Sequence, residues 1–348
     1  MKTSKNLFEG IVAFDNVLLA VSKAAKGKRE EQSVLKFYNH FEENLWQIIS
    51  ELRNKTYQPG SYKTFSIYKS KPRQISAAPF RDRVVHHALI TVVGPILERT
   101  FIFDTYANRV GKGTHKAIER YQHYLKKYAY ALKCDIRKYF PSIDHEILKS
   151  LIRRKIACAD TLWLIDTIID NSNPQVEHLH YFPGDTLFTP HERRRGLPIG
   201  NLTSQWFANY YLSFFDHYVK EVLHCKGYVR YVDDCVLLSN SKQELWEWKI
   251  AIERFLEQYR LILNPQRTEL YPSTEGKSFL GQRVFQSHRL LPADNVRRAK
   301  RRIQCLLIAK PDNIIQALSG WFGHARQADT RNLRRLISGR ILRGTGKS

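Results

Sequence analysis

The first third of the chain changes between helical and extended patterns of apolar residues. Up to about Lys55 the apolar positions recur every three or four residues, which predicts helices. Residues 56–80 are basic and place turn residues between short apolar runs, which predicts short strands. Residues 81–101 return to the helical period, and the pair Gly94-Pro95 predicts a break in that helix.

The middle of the chain combines one compact strand with less regular segments. The apolar run at residues 130–136 predicts a strand, and a turn and a helix follow it. Ser142 is the predicted N-cap of that helix, because a serine hydroxyl can accept a hydrogen bond from an unpaired amide of the first turn. Residues 171–195 are polar and aperiodic, and they predict an irregular segment.

The last part of the chain is mainly helical. Residues 201–223 predict one long helix, and residues 241–263 predict another that opens with the capping box Ser241-x-x-Glu244. From about Pro292 the pattern is helical and strongly basic. No internal repeat or low-complexity linker interrupts the chain, so the pattern indicates one continuous body in which strands alternate with helices.

The charge of the chain indicates a polyanionic partner. Its 348 residues contain 56 Lys and Arg but 33 Asp and Glu, a formal net charge of +23 at pH 7. With 43% hydrophobic and 12% aromatic residues the chain is a folded protein rather than a disordered basic tail. A folded protein with so positive a field favours nucleic acid as partner over a protein that is merely soluble and basic.

The cysteines and the apolar segments exclude other classes. The five cysteines are Cys134, Cys158, Cys225, Cys235 and Cys305. Their odd number and the absence of Cys-x-x-Cys spacing argue against disulfides and a structural zinc site, and they fit a reducing cytoplasm. The amphipathic N-terminal segment is broken by Glu9 and Asp15, so we expect neither a signal peptide nor a membrane span.

The segment "GYVRYVDDCVLLSN", residues 227–240, places two adjacent carboxylates between apolar strands. Tyr228–Val232 and Cys235–Ser239 predict the two strands of a hairpin, with Asp233 and Asp234 at its tip. The alternative is an ordinary surface turn, since aspartate is a common turn residue. The apolar flanks favour a tip that lies against a core, where burial and mutual repulsion both oppose two like charges.

A third carboxylate occupies a similar position, because Asp135 ends the apolar strand "YALKC". Two neighbouring strands that end in aspartates can bring Asp135, Asp233 and Asp234 together. Such a cluster needs divalent cations; carboxylate oxygens suit Mg²⁺, and two such ions can stabilise both oxygens of an in-line phosphoryl displacement. With the positive charge of the chain this predicts nucleotidyl transfer on a nucleic acid, although a nuclease would use similar acids.

The surrounding motifs separate these two activities. Five segments occur in the order of the palm motifs of reverse transcriptases, over about residues 65–285: "ALKCDIRKYF", "GLPIGNLTSQWFANYYL", "YVDD", "LNPQRTEL" and "FLGQRVF". The Tyr-x-Asp-Asp box alone is a weak signal, whereas five segments in order are a strong one. The chain therefore resembles the reverse transcriptases, and "KPRQISAAPFRDRVVHHAL" is similar to the fingers motif that precedes the palm.

Within that family the chain most resembles the enzymes of prokaryotic and phage diversity-generating retroelements. The segment "GLPIGNLTSQ" is similar to that group, with Ser204-Gln205 where intron and retron enzymes commonly end in a Gln-Gly type of pair. Residues 320–330 resemble the thumb of the same group. We also expect no maturase or endonuclease domain after it, which disfavours an intron enzyme.

The resemblance implies a fold and a domain division. The fold class is α+β, the right-hand polymerase fold with fingers, a palm with an antiparallel sheet, and a short helical thumb. Residues 1–285 would form the interleaved fingers and palm, and residues 286–348 the basic thumb. The thumb would follow the phosphates of an RNA–DNA hybrid without reading sequence.

The resemblance also assigns the reaction and its metal ligands. Asp135, Asp233 and Asp234 would be catalytic and bind two Mg²⁺ ions, with Mn²⁺ as a substitute. Asp135 and Asp233 would be the direct ligands of both ions, and the carbonyl of Ile136 a further ligand. The primer 3′-hydroxyl would attack the α-phosphate of a dNTP, and pyrophosphate would leave.

Further residues would bind the incoming dNTP. Arg73 matches the arginine of the fingers that grips the triphosphate, with help from Lys69 or Lys71; the alternative for the lysines is a solvated basic strand face. Phe140 matches the aromatic gate that excludes a ribose 2′-hydroxyl; without the motif it would be an ordinary core phenylalanine.

The loop before the second palm helix completes the predicted nucleotide site. Gly196, Pro198 and Gly200 would shape the loop under the nascent base pair, where glycine permits close backbone approach. The resemblance also implies that Gln205 contacts the nucleotide.

Two positions depart from the pattern of many relatives. Ile199 stands where retroviral enzymes carry glutamine, which removes a hydrogen-bonding group beside the nascent pair and predicts lower fidelity. Arg267 stands on the pyrophosphate side, where many relatives carry lysine. Because arginine holds its proton far more tightly, we expect it to stabilise charge rather than act as a general acid.

The resemblance implies partners as well. These are an RNA template, the RNA–DNA hybrid, dNTPs, and a small basic accessory protein that assembles as a ring; no membrane is involved. The same-class alternative is a reverse transcriptase of another prokaryotic lineage, defence-associated or intron-like. The alternative of a different class is a catalytically silent RNA-binding scaffold, against which the intact acidic cluster argues, since buried acids are costly to keep.

Overall fold

The computed structural model describes residues 3–68, 72–172, 180–309 and 314–344. The N-terminal helices and the strands that follow them are α1 (Phe8–Val12), α2 (Phe14–Ala25), α3 (Gln32–Asn39), α4 (Phe41–Arg53), β1 (Lys63–Tyr68), β2 (Pro72–Ala77) and α5 (Phe80–Glu98). Helix α5 is buried along most of its length, with α1, α2 and α3 packed against it. This burial explains why its apolar residues are not confined to one face.

The central part of the chain contains the main sheet and its supporting helices. These are α6 (Thr114–Leu125), β3 (Tyr130–Asp135), α7 (Tyr139–Ser142), α8 (His145–Arg153), α9 (Ala159–Asp170), α10 (Thr189–Glu192), α11 (Leu202–Tyr211), α12 (Ser213–His217), a π-helical turn (Tyr218–Val222), β4 (Gly227–Tyr231), β5 (Asp234–Ser239), α13 (Lys242–Gln258) and β6 (Glu269–Pro272).

The main sheet is antiparallel, with the strand order β4-β5-β3-β6. Its side chains alternate between two cores, so both faces are apolar. One face, with Leu132 and Leu237, belongs to the large core that also contains the buried stripe of α13. The other face, with Ala131 and Val236, packs against α6. Because both faces are buried, the sequences of these strands are continuous apolar runs.

The C-terminal part has a small sheet and three helices: β7 (Lys277–Phe279), β8 (Gln282–Val284), β9 (Arg289–Leu290), α14 (Ala293–Ala309), α15 (Ile314–Ala325) and α16 (Arg331–Gly344). The helices share a core of their own, centred on Ile303, Leu318 and Ile337. Helices α14 and α16 each carry five Lys or Arg side chains. The predicted basic helical segment is therefore present, while the domain boundary at residue 285 stays a prediction.

The predicted class, helices combined with an antiparallel sheet, is confirmed. Two local predictions are wrong. Helix α5 continues through Gly94 and Pro95 to Glu98; the missing N–H of Pro95 removes one backbone hydrogen bond, only one turn before the helix ends. The segment 201–223 is divided into α11, α12 and the π-helical turn instead of forming one regular helix.

The predicted N-cap Ser142 is also wrong. Ser142 ends α7, and its hydroxyl donates to the carbonyl of Lys138 at 2.9 Å. The N-cap of α8 is Asp144, whose Oδ1 accepts from the amide of Ile147 at 3.0 Å. Sequence pattern alone could not separate these two capping residues, because the short helix α7 ends at Ser142 and moves the start of α8 by two positions.

The capping box of α13 is half formed. Ser241 accepts from the amide of Glu244 at 3.2 Å, as predicted. The reciprocal bond is absent, because the Glu244 carboxylate accepts from the hydroxyl of Ser239 and that same hydroxyl accepts from the amide of Ser241 at 3.0 Å. None of the described helices combines the length and apolar character needed to cross a bilayer.

The buried His86 of α5 generates a prediction about acid stability. Burial lowers its pKa to about 3, with a further contribution from His87. Below pH 6.5 the unfolded chain therefore binds a proton that the folded chain does not, so stability falls as the pH falls from 6.5 towards 3. We expect this residue to contribute about 1.4 kcal/mol per pH unit over that range.

Urea unfolding of His86→Gln and wild type at pH 7 and pH 5 measures this contribution. The substitution is expected to reduce the loss of stability between the two pH values by about 2 kcal/mol. His191→Gln, at an exposed position of α10, is the matched control and should leave the loss unchanged. An equal loss of stability in wild type and His86→Gln would contradict the prediction.

Candidate active site

The ends of two central strands bring two of the predicted acids together. Asp135 ends β3 and lies directly opposite Asp234, the first residue of β5. Cross-strand partners project from the same face of a sheet, and Lys133 lies two residues before Asp135 on that face. The two carboxylates and one ammonium group therefore share one end of the sheet.

The hairpin tip differs from its prediction by one residue. Tyr231 pairs with Asp234, so the turn consists of Val232 and Asp233, and Asp234 belongs to the strand. The prediction that Asp233 and Asp234 together form the tip was therefore wrong in register. The reason is a tight two-residue turn with φ of +58° at Val232, a conformation that a β-branched residue seldom adopts.

A buried arginine of β4 anchors the hairpin to the core through ionic and hydrogen-bonding contacts. Arg230 is 1% exposed and makes a bidentate ion pair with Asp216, in which both N···O distances are 2.6 Å. Its Nη1 donates to the side-chain oxygen of Asn209 at 3.0 Å and to the carbonyl of Val232 at 2.9 Å, and Nη2 donates to the carbonyl of Asn209 at 3.3 Å. All five guanidinium N–H groups are thus used.

The hydrogen bond from Arg230 to the Val232 carbonyl stabilises the turn in spite of the positive φ of Val232. A positive φ at a valine costs about 1–3 kcal/mol and persists only where the surroundings enforce it. The guanidinium is itself fixed by Asp216, which also accepts from Tyr228 and Thr105, each at 2.7 Å. The position of the hairpin tip, and of Asp233 within it, is therefore set by the core.

The environment of Asp234 raises its proton affinity. Burial raises the pKa of this carboxyl to about 6, and the charge of Asp135 adds to the effect, while Lys133 and Arg267 oppose it. Lys133 Nζ lies 3.5 Å from Asp234 Oδ1, which accepts no hydrogen bond from the described residues. This buried oxygen therefore has one cation at 3.5 Å but no hydrogen-bond donor among the described residues.

Asp135 is held on its other side by the segment that follows α13. The Asn264 side chain donates to Asp135 Oδ2 at 3.1 Å, and Arg267 Nη1 lies 3.5 Å from the same oxygen. Over the described residues, no group of three or more His, Cys, Asp or Glu side chains is close enough to hold a metal ion. The geometry gives a physical reason, because Asp135 turns towards Asn264 and Arg267 while Asp234 faces Lys133.

The residues after Asp135 form a sharp turn. Ile136 is buried and bridges to Leu263 of the neighbouring segment. Phe140 is half-buried and packs against the large core, with its ring centroid 5.8 Å from that of Tyr139. Phe140 is close to Asp135 in the sequence. Its role as a gate that excludes a 2′-hydroxyl stays a prediction.

The glycine loop, residues 196–200, contacts β2, the strand that contains Arg73. The amide of Ser76 donates to the carbonyl of Ile199 at 3.0 Å, and Asn201 bonds to both the carbonyl of Ser76 and the amide of Ala78. Gly200 has φ of +116°, and a Cβ on it would lie 2.9 Å from a methyl of Ile75. Glycine is therefore required here on both conformational and steric grounds.

For the remaining residues predicted to bind the nucleotide, the structure gives only their positions in the fold. Arg73 lies in β2, where it pairs with Ile67 of β1. Lys69 and Lys71 lie outside the described residues. Gln205 is half-buried in the first turn of α11, close along the chain to the glycine loop. These assignments to dNTP binding stay predictions.

Sequence reasoning assigned no role to several residues of the site, among them Lys133, Asn209, Asp216, Arg230 and Asn264. A signal for Arg230 was present, because an arginine inside the apolar strand "YVRYV" must be paired if it is buried. Its partners come from α11 and α12, and no spacing rule links them to the hairpin.

Comparison with known families identifies a matching model. Residues 58–284 match the family model described as "Reverse transcriptase (RNA-dependent DNA polymerase)". The matched region begins just before β1 and ends with β8, so it contains both the sheet and the hairpin.

Several curated proteins are similar in sequence. "Protein YkfC" of Escherichia coli (strain K12) is 26% identical over 240 residues, which cover 64% of this chain and 60% of that protein. "Group II intron-encoded protein LtrA" of Lactococcus lactis subsp. cremoris is 26% identical over 184 residues, which cover 52% of this chain and 29% of that protein. The chain thus spans less than two thirds of the length of either relative.

Solved structures are similar in part. The "Structure of apo telomerase from Candida Tropicalis truncated from C-terminal domain" has a TM-score of 0.49 and 14% identity, covering 67% of this chain and 55% of that one. The "Structure of apo telomerase from Candida Tropicalis" has a TM-score of 0.44 and 14% identity, covering 65% and 47%.

The Arg230 network predicts separate effects on stability and activity. Arg230→Met leaves Asp216 buried without its partner and should destabilise the fold by about 3–5 kcal/mol. The double variant Arg230→Met/Asp216→Leu removes both charges and should recover most of that stability. It still lacks the donor to Val232, so primer extension on an RNA template should stay at least about tenfold below wild type.

Urea unfolding and primer-extension rates, measured on the same preparations, test this separation. Arg283→Met is a control outside the network; it removes an arginine from β8 that donates to the carbonyl of Gly276 at 2.9 Å. A double variant that is stable and extends primers at the wild-type rate would show that Arg230 supports only the fold.

Proposed function

The chain belongs to the reverse transcriptase (RNA-dependent DNA polymerase) family, and from this premise we propose that it copies an RNA template into DNA. It has the right-hand polymerase fold, with an antiparallel sheet. The observation that carries the proposal is the pairing of Asp135 with Asp234 at the end of the central strands, with Asp233 in the adjoining turn. The proposed thumb is residues 286–348.

Enzymes of this family generally use divalent metal ions, and the donor set fits Mg²⁺. All the candidate ligand atoms are oxygens, and Asp234 Oδ1 is buried without a hydrogen-bond donor among the described residues. Asp135, Asp233, Asp234 and the carbonyl of Ile136 would hold two Mg²⁺ ions, with Mn²⁺ as a substitute. Bound there, the ions supply charge stabilisation for the attacking and leaving oxygens.

The reaction joins the primer to the nucleotide. The 3′-oxygen of the primer bonds to the α-phosphorus of the dNTP, its proton leaves to solvent, and the bond to the β-phosphate breaks to release pyrophosphate. Arg267, which lies 3.5 Å from Asp135, would stabilise charge on the pyrophosphate side, and Arg73 would bind the triphosphate. Phe140 would exclude a 2′-hydroxyl.

The glycine loop would position the template base pair. A backbone hydrogen bond from the amide of Ser76 fixes Ile199 to β2, and Gly200 lies against the side chain of Ile75, so the loop and the strand that carries Arg73 form one unit. Gln205 follows in the first turn of α11. With an apolar Ile199 beside the nascent pair, geometric control of pairing would be loose and fidelity low.

A diversity-generating retroelement is the element we assign to this enzyme. Its template would be a template-repeat RNA, copied with errors at adenines. The segment "GLPIGNLTSQ" and the apolar Ile199 support the assignment. A small basic ring-forming accessory protein would assist, and the protein would act in the cytoplasm of a prokaryote, in line with its bacterial relatives.

A second candidate is an intron-type reverse transcriptase. It is favoured by the names of two relatives, the group II intron-encoded protein LtrA and, at 26% identity over 111 residues, "Nuclear intron maturase 1, mitochondrial" of Arabidopsis thaliana. That second match covers 31% of this chain and 16% of that protein. The error spectrum separates the two candidates.

Primer extension with purified protein, a long RNA template, dNTPs and Mg²⁺ tests the proposal. Asp233→Asn should reduce the extension rate by about 10²–10³-fold, the usual cost of losing a preorganised electrostatic group. Asp15→Asn, at an exposed position of α2, is the matched control and should extend like wild type. Equal extension rates in wild type and Asp233→Asn would show that catalysis does not depend on Asp233 and would contradict the proposed site.

Sequencing of the products tests the assignment to an element. Errors concentrated opposite template adenines are expected for a diversity-generating enzyme. Errors that are rare and evenly distributed would still support an RNA-directed DNA polymerase. They would overturn the assignment to a diversity-generating retroelement in favour of the intron-type candidate. If wild type does not extend, the assay is repeated with the accessory protein and its RNA; no extension there would contradict the polymerase.

A further inference from the structure

A basic recess lies beside the turn that follows Asp135. It has a volume of about 70 Å³, several times the roughly 10–15 Å³ that a water molecule requires. Its cationic lining residues are Arg137, Lys138, Arg193, Arg195 and Arg260. None of these residues was assigned a role in binding metal or nucleotide.

The floor of the recess is a buried arginine with unused donors. The Arg193 side chain is 4% exposed, and its Nε and Nη1 donate no hydrogen bond to any of the described residues. Nη2 donates to Asp185, while Nε lies 3.5 Å from Asp144 Oδ2, too far for a good hydrogen bond. An unsatisfied guanidinium N–H group is costly when buried, so this geometry indicates a missing acceptor.

The sequence around Arg193 builds a rigid support for it. Residues 182–185, "FPGD", form a turn with Pro183 in second position and Gly184 in third, where φ is +89°. The amide of Asp185 donates to the carbonyl of Phe182 at 3.0 Å, and the Asp185 carboxylate accepts from the amide of Phe182 at 2.7 Å. The Arg193 guanidinium lies over the Phe182 ring, 5.5 Å from its centroid.

The charges around the recess are not balanced by the described acids that contact its arginines. Asp144 accepts from Arg260 and lies 3.5 Å from Arg193, and Asp185 accepts from Arg193. Against these two carboxylates, Arg137, Lys138, Arg193 and Arg260 line the recess, so positive charge remains in excess. A tetrahedral oxyanion with several acceptor oxygens would satisfy both the excess charge and the unused donors.

We propose that this recess is a binding site for a phosphate-class anion, either free pyrophosphate or the terminal 5′-phosphate of an RNA. The two sources share the same chemistry, a tetrahedral phosphate with at least two negatively charged oxygens. Arg193 would bind it from the floor through Nη1, and Arg137, which is exposed on the rim, would contribute long-range attraction. The serine hydroxyl of Ser142 also lines the recess.

Calorimetric titration of sodium pyrophosphate into the full chain tests the site. The buffer contains EDTA and 150 mM chloride and no nucleotide or RNA, so the result does not depend on polymerase activity. Wild type should bind one anion saturably. Arg193→Gln should weaken binding by at least about tenfold, because it removes a charge-assisted bond. Arg137→Gln should weaken it by about threefold, as expected for a solvated rim charge.

Two controls keep the result interpretable. Lys126→Gln removes an equivalent exposed charge from the end of α6, away from the recess, and should leave binding unchanged. Far-UV circular dichroism checks that Arg193→Gln is folded; if it is not, the exposed Arg137→Gln variant decides. Binding that does not saturate, or that the recess variants leave at the wild-type level, or that Lys126→Gln weakens equally, would overturn the proposal.

Competition identifies the source of the anion. RNA oligonucleotides of one sequence, with a 5′-phosphate or a 5′-hydroxyl, are titrated against bound pyrophosphate. A tenfold advantage of the phosphorylated oligonucleotide would assign the RNA terminus as the ligand. Without that advantage the free anion is the ligand.

Discussion

The ion pair between Arg230 and Asp216 is the interaction on which the geometry of the site depends. Both charges are almost completely removed from solvent, which is costly unless every donor and acceptor is satisfied. Here burial lowers the pKa of the arginine but the carboxylate more than compensates, so the guanidinium remains charged. Because one of its N–H groups binds the carbonyl of Val232, the core determines where the hairpin turns and where Asp233 lies.

A second constraint is the balance of charge at the open end of the sheet. Burial raises the pKa of Asp234 to about 6, and repulsion from Asp135 adds to the effect, so Asp234 takes up a proton more readily than an exposed aspartate does. Lys133 and Arg267, each 3.5 Å from one of the two acids, partly offset this repulsion. The fold thus supports an acidic cluster inside a strongly basic protein by placing one cation beside each acid, at a distance that leaves acceptor oxygens available.

Much of this was predictable from the sequence, for identifiable reasons. The strand before Asp135 and the paired strands around Asp233 are short apolar runs bounded by turn residues, which are local signals, so the sheet and the approximate hairpin followed directly. The exact turn did not, because the positive φ of Val232 is imposed by Arg230, whose partners lie on α11 and α12. Likewise the N-cap is Asp144 and not Ser142 because Ser142 ends the short helix α7, whose Tyr139 and Phe140 are bonded to Ala208 and Leu197, far away in the sequence. Local patterns cannot encode such contacts.

The central claim is the proposal that Asp135, Asp233 and Asp234 together bind the divalent ions of the reaction. The most direct measurement is electron paramagnetic resonance titration of Mn²⁺ into the chain in the presence of a dNTP, for wild type, Asp135→Asn and Asp234→Asn. The account predicts saturable binding in wild type, with two ions per chain, and an affinity reduced by about tenfold or more in each variant. Mn²⁺ binding that is the same in wild type and both variants would contradict it.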